Sequence, residues 1–188
     1  MTRKTPHDLN INVSTSISVH ETVKKKQRID TKLEAIAAEF LVLGHLLLER
    51  ITAYKAYVNF PGYDLIATAT GHNLKKNCRL QVKSRYRTDW DGFIINNFDC
   101  DFVIFVALNR GFARQKKDGA DGIKPPDFYI LPTRWVEERR DPNNNWGKIV
   151  RQRLGGIEEY KDRWELISNC LRTDERLDLL EARAQPSK

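Results

Sequence analysis

Thiol chemistry is sparse in this chain. The three cysteines, Cys78, Cys100 and Cys170, are an odd set without CxxC spacing, so buried thiols are expected rather than disulfides or zinc ligands. The four histidines are scattered and complete no zinc set. Long apolar runs are missing as well: Phe40 to Leu48 is interrupted by Gly44 and His45, far short of the roughly 18 residues a membrane span needs. No apolar segment follows the basic N-terminus, so no secretory signal is read, and an intracellular, cytoplasmic location is expected. No helix pattern sets a basic face against a broad apolar one, which argues against a membrane-surface role. Internal repeats and low-complexity tracts are absent. Acidic residues are outnumbered: 25 Asp plus Glu stand against 32 Lys plus Arg, a formal charge of +7, which favours a polyanionic partner such as nucleic acid.

The 188 residues suit one compact domain with its own core. Residues 1–29 are polar and basic and are read as an arm or tail; 30–171 form the domain; 172–188 form a charged tail. Thr31-Lys32-Leu33-Glu34 fits a capping box, and Leu33, Ile36, Ala37, Phe40, Gly44, Leu47 and Ile51 recur at helical spacing, predicting a helix with that stripe toward the core. Strands are predicted at Tyr54–Phe60, Tyr63–Ala69, Cys78–Tyr86, Phe93–Asn97 and Asp127–Pro132, set off by Pro61-Gly62 and Gly71-His72-Asn73. Phe102–Leu108 is almost continuously apolar, as a central strand buried on both faces would be. Thr133 or Asp141 can begin short helical pieces, and Ile157–Leu171 reads as a closing amphipathic helix. The order predicts an α/β fold, one mixed sheet with helices on its faces.

Chemistry concentrates in two strands. Side chains alternate along a strand, so Arg79, Gln81, Lys83, Arg85 and Arg87 share one face while Leu80, Val82 and Tyr86 share the other. An ordinary solvated strand face gives the same alternation. Asp64 opens a second apolar run just after the Pro-Gly turn, where it can face that polar row or cap the turn through an Asx bond. A carboxylate beside a glutamine oxygen and a lysine makes a site for a hard divalent cation such as Mg²⁺.

These residues resemble the PD-(D/E)XK nuclease superfamily, the restriction-endonuclease-like fold with an α-β-β-β-α-β core. Pro61-Gly62-Tyr63-Asp64, then Gln81-Val82-Lys83, with Glu39 on the preceding helix, follow its pattern over roughly Thr31 to Leu108. The family usually has Glu or Asp where Gln81 stands, and a neutral amide is the weaker ligand; certain intron-encoded homing endonucleases look similar in carrying glutamine there. The resemblance implies a metal-dependent DNA endonuclease. Asp64, the Gln81 side-chain oxygen and the Val82 carbonyl would hold Mg²⁺, with Mn²⁺ as a substitute and no organic cofactor. Lys83 would stabilise charge at the phosphate, and Glu39 would order a water. Glu39 falls about 110° from the apolar stripe of its helix at 100° per residue, where simple solvation is the alternative. Arg79, Arg85 and Arg87 would position phosphates, with Lys75, Lys76 and the loop from Arg110 to Lys117 as further cations. One such site cuts one strand, so double-strand cleavage would call for a symmetric homodimer. Two other readings stay open. One is a catalytically inactive nucleic-acid-binding module of the same fold; the other is an interaction protein whose polar strand face is merely wet.

Overall fold

The computed structural model describes residues 31–56, 62–69, 76–114 and 116–172. The expected arm, Pro61, the 71–73 turn, Lys75 and the tail from 173 lie outside them. Helix α1 (Thr31–Leu48) leads into β1 (Thr52–Lys55), β2 (Leu65–Thr68), β3 (Asn77–Arg85), β4 (Gly92–Ile94), β5 (Phe102–Ala107) and β6 (Asp127–Pro132). Then come α2 (Thr133–Glu137), β7 (Lys148–Val150) and α3 (Glu165–Leu171), with short 3-10 helices at Arg151–Arg153 and Ile157–Tyr160. Five strands form one sheet in the order β1-β2-β3-β5-β6, and β4 pairs with β7 in a separate ribbon. Within the sheet, β3 and β5 run parallel and the other neighbours antiparallel. The expected mixed sheet flanked by helices is therefore present.

Every residue of β5 is buried, because apolar layers cover both faces of the sheet. On one face Leu80, Val82, Ile104 and Val106 pack with Ala38, Val42 and Leu46 of α1 and Ile167 and Leu171 of α3. On the other, Val103, Phe105 and Leu131 pack with Phe93, Ile149 and Val136. Among the described residues no helix is long and apolar enough to cross a membrane.

Helix α1 forms where its sequence predicts, but rotated. Its core face is Ala38, Val42 and Leu46, whereas Leu33, Phe40 and Leu47 of the predicted stripe are exposed. The helix is apolar nearly all round, so periodicity alone cannot select the buried side; small Ala38 and β-branched Val42 fit the close approach to β3.

In the α-β-β-β-α-β order, the place between β3 and β5 is taken by β4 and extended chain rather than a helix. Trp90 there meets Phe105 edge-on and Phe93 stacks on it, with ring centroids 4.5 Å and 5.0 Å away. Gly92 (φ 134°) permits the ribbon: a Cβ would lie 2.1 Å from the Ile149 carbonyl oxygen.

The closing helix expected over Ile157–Leu171 is broken in two. Asp162 adopts φ 53°, and its N–H donates to the Phe128 carbonyl, drawing the chain back to β6. Beside it, Lys161 pairs with Asp127 at 2.5 Å, Lys124 pairs with the same carboxylate at 2.7 Å, and Asn109 donates to it at 2.8 Å. Burial alone would raise the Asp127 carboxyl, but these donors outweigh it and hold its pKa at about 2. A depressed carboxyl contributes stability above its unfolded pKa and loses it as pH falls through the folded value. Asp127→Asn should thus cost roughly 2 kcal/mol near neutrality. In urea titrations the difference from wild type should shrink between about pH 4 and pH 2, the unfolded and folded values.

Candidate active site

Asp64 sits where β2 leaves the sheet. The β2–β3 ladder ends at the pair Leu65–Leu80; the Asp64 N–H then donates to the Leu80 carbonyl at 2.8 Å, and its own carbonyl accepts from Ala56. Beyond that pair the Asp64 carboxylate itself meets β3, its Oδ2 accepting the Val82 N–H at 2.7 Å. The preceding turn needs Gly62 (φ 109°), where a Cβ would press on Asp99 and Asn97. Since N–H and C=O of one strand residue point the same way, the Val82 carbonyl also opens toward Asp64.

Gln81 and Lys83 project to the opposite side of β3 from Val82, level with Val103 and Phe105 of β5. That side carries the second apolar layer, under which Gln81 is buried while Arg79, Lys83, Arg85 and Arg87 stay partly exposed. Gln81 is only 7% exposed, and its Oε1 is buried without a hydrogen-bond partner among the described residues. Such an orphan costs about 1–3 kcal/mol unless something else meets it.

Burial raises the pKa of Asp64, and the negative Glu39 adds to the rise; the Val82 N–H and the positive Lys83 and Lys55 oppose it without cancelling it. Burial likewise lowers the Lys83 pKa, against the pull of Asp64. Both ionised forms are thus held in an environment that disfavours them. For Asp64 the sign follows: its contribution to stability is fully present below the unfolded pKa and is lost as pH rises through the raised folded value. Any cation that needs the carboxylate ionised should bind more weakly as pH falls through that same value.

Glu39 is close enough to act on Asp64 electrostatically, but its carboxylate pairs with Lys55 at 2.8 Å. Sequence reasoning passed over Lys55. Its signal was a lysine on the helix-facing side of an edge strand, register partner of buried Leu65. Glu34, read as part of a capping box, instead accepts from Ser84 Oγ of β3 at 3.3 Å.

The arginine row divides. Arg79 is tied to Asp99 and, at 3.7 Å, to Asp101. Arg85 donates through Nε to the Gly92 carbonyl at 2.5 Å. Arg87 lies beyond the end of β3, lining a cleft with Glu34, Trp90 and Asp91, and makes no ion pair among the described residues. The loop from Arg110 is anchored by Ala113 N–H to Asp89 at 3.0 Å and by Phe112 N–H to the Asp121 carbonyl.

No group of three His, Cys, Asp or Glu side chains among the described residues could hold a metal ion. The donors that the resemblance implies are of another kind: one carboxylate, one amide oxygen and one backbone carbonyl, all hard oxygens. The buried, unpartnered Gln81 Oε1 fits an Mg²⁺-type ligand set, in which waters complete the coordination.

No protein-family model matches the sequence, and no curated protein sequence matches it. One solved structure, a bacterial homing endonuclease, I-Ssp6803I, is similar in shape with a TM-score of 0.48 and 19% identity, over 81% of this chain and 98% of that chain. At that identity and score the likeness is one of shape, and the reading of the site rests on its own geometry.

Proposed function

We propose that the chain is a divalent-metal-dependent DNA endonuclease whose site is Asp64, Gln81, Val82 and Lys83. The observation that carries this reading is the buried, unpartnered Gln81 oxygen on the strand whose next residue binds Asp64, within a row that continues to a half-buried lysine. Asp64, the Gln81 amide oxygen and the Val82 carbonyl would hold Mg²⁺ or Mn²⁺. A bound dication supplies charge neutralisation at a phosphate and a more acidic water.

The remaining roles belong to the chain itself. The Val82 N–H fixes the carboxylate of Asp64, leaving its second oxygen to face a ligand. Lys83, with its pKa lowered by burial, places a desolvated positive charge where a phosphate would gain negative charge, and such charges act most strongly in a dry site. Glu39, held by Lys55, would act from behind Asp64 by sustaining its raised affinity for a proton or a cation. Arg87 in the adjoining cleft would hold the DNA backbone. Arg79 and Arg85 would set the shape of the rim, since both are already committed to protein partners.

Supercoiled plasmid incubated with purified protein should be nicked in Mg²⁺ or Mn²⁺ and left intact in EDTA. Cleavage should weaken as pH falls through the raised Asp64 pKa. DNA bound with a steep salt dependence but uncut in either metal would instead establish the inactive binding module.

A further inference from the structure

Trp146, in the turn between α2 and β7, is 80% exposed, whereas Trp90 and Trp164 are 6% and 5% exposed. Its ring has no aromatic or cationic partner among the described residues. The backbone that carries it is nevertheless held. Asp141 Oδ1 accepts the Asn143 N–H and Asn144 Oδ1 accepts the Trp146 N–H, both at 3.0 Å, while Asn144 Nδ2 donates to the Lys148 carbonyl at 3.2 Å. The Gly147 carbonyl accepts the Ile95 N–H at 2.9 Å. Gly147 has φ 65°, and a Cβ there would run into the Asn96 side chain. A bare indole thus stands on a fixed base.

That base lies near the candidate active site. Asn97, next to Asn96, sets its Oδ1 against Gly62, two residues before Asp64. At about 3.8 Å per Cα step, and with every side-chain link extended, the path from Asp64 through Gly62, Asn97 and Asn96 to Trp146 is at most roughly 30 Å. One turn of B-form DNA is longer, at about 34 Å. On the same rim the Arg140 guanidinium lies 6.0 Å from the ring of Phe98, the residue after Asn97, and pairs with no carboxylate among the described residues. From Arg139 to Arg153 the cations Arg139, Arg140, Lys148, Arg151 and Arg153 face a single acid, Asp141.

We infer that Trp146 stacks on an unstacked base of bound DNA, with Arg140 on a phosphate beside it, so that the DNA held at the β3 site is single-stranded or opened within one turn of it. Every base offers a π-face to an aromatic ring. In a closed duplex those faces are covered, so the ring needs a single strand or a step that is wedged apart. Rigid presentation keeps the entropy cost of contact low, and the surrounding cations suit the phosphates that flank a base. DNA as the partner rests on the function proposed above; cleavage of that DNA is not needed for the contact.

Titration with single-stranded poly(dT) in EDTA tests this without a cleavage step. Emission from the exposed indole should be quenched as the strand binds, and Trp146→Ala should abolish that quenching and weaken binding roughly 5- to 150-fold. Trp146→Phe should bind more tightly than Trp146→Ala. The slope of log affinity against log salt should be the same in Trp146→Ala and wild type, since an indole displaces no counterion, and the melting temperature should not move. Equal affinity in Trp146→Ala and wild type would overturn the inference and leave the endonuclease reading standing. A shallower salt slope in Trp146→Ala, or no binding of poly(dT) at all, would also overturn it. So would emission that responds to phosphatidylglycerol vesicles and not to poly(dT), which would assign the ring to a membrane surface. Binding that depends on Trp146, beside plasmid left uncut in Mg²⁺, would uphold the stacking contact and remove the endonuclease.

Discussion

Asp64→Asn should lower cleavage in Mg²⁺ by at least about 10³-fold, the scale of losing one preorganised charge from a site of this type, while the fold survives. The amide oxygen of asparagine can still accept the Val82 N–H that Asp64 accepts now, so the end of β2 keeps its anchor. Because burial raises the Asp64 pKa, the ionised carboxylate is a source of strain near neutrality, and the variant should melt no lower than wild type without metal. Lys83→Ala should fall comparably in cleavage, again without unfolding, since removing a half-buried ammonium relieves the desolvation that lowers its pKa. Calorimetry would separate the two: Mn²⁺ binding should vanish in Asp64→Asn and persist in Lys83→Ala. Either variant cleaving at the wild-type rate would remove the assignment.

Gln81 offers the second large effect, and a contrast in sign. Gln81→Leu removes an oxygen that has no partner among the described residues, so the unliganded protein should be as stable as wild type or more so. Its affinity for Mg²⁺ should nevertheless drop on the order of 10- to 100-fold. Gln81→Glu does the reverse. A second carboxylate near Asp64 adds like-charge repulsion and raises the apparent pKa values of the pair, destabilising the metal-free protein at neutral pH. Added Mg²⁺ should then raise its melting temperature more than it raises that of wild type, by mass action on a tighter site. If Gln81→Leu cleaves as well as wild type, Gln81 is not a ligand.

Much of this was legible in the residues, for identifiable reasons. The unbroken apolar run of β5 could only be a strand buried on both sides, and the alternation in β3 placed Gln81 and Lys83 together before any coordinates. That the Gln81 side of that strand is also covered could not be read there, because its cover comes from Phe93 and Ile149, remote in sequence and carried on three-residue strands too short to leave a pattern. The orientation of α1 is not legible in its sequence, since its strongest repeat, Leu33 to Leu47, lies on the outer side, while the inner side is built from Ala38 and Val42. The break at Asp162 depends on one backbone bond to Phe128, a long-range effect that no local periodicity reports. Lys55 leaves no local signal, because its partner, Glu39, is carried on the preceding helix.

The ribbon of β4 and β7 ties residues 92–94 to residues 148–150, and the same layer roofs the β3 row that holds Gln81. A newly made chain therefore cannot cover Gln81 until the ribosome has released nearly the whole domain. Until then the Gln81 amide stands in water, with no dry surroundings to sharpen the nearby charges. The last third of the domain, which contributes none of the proposed ligands, in this way sets the moment at which the Gln81 side chain is buried.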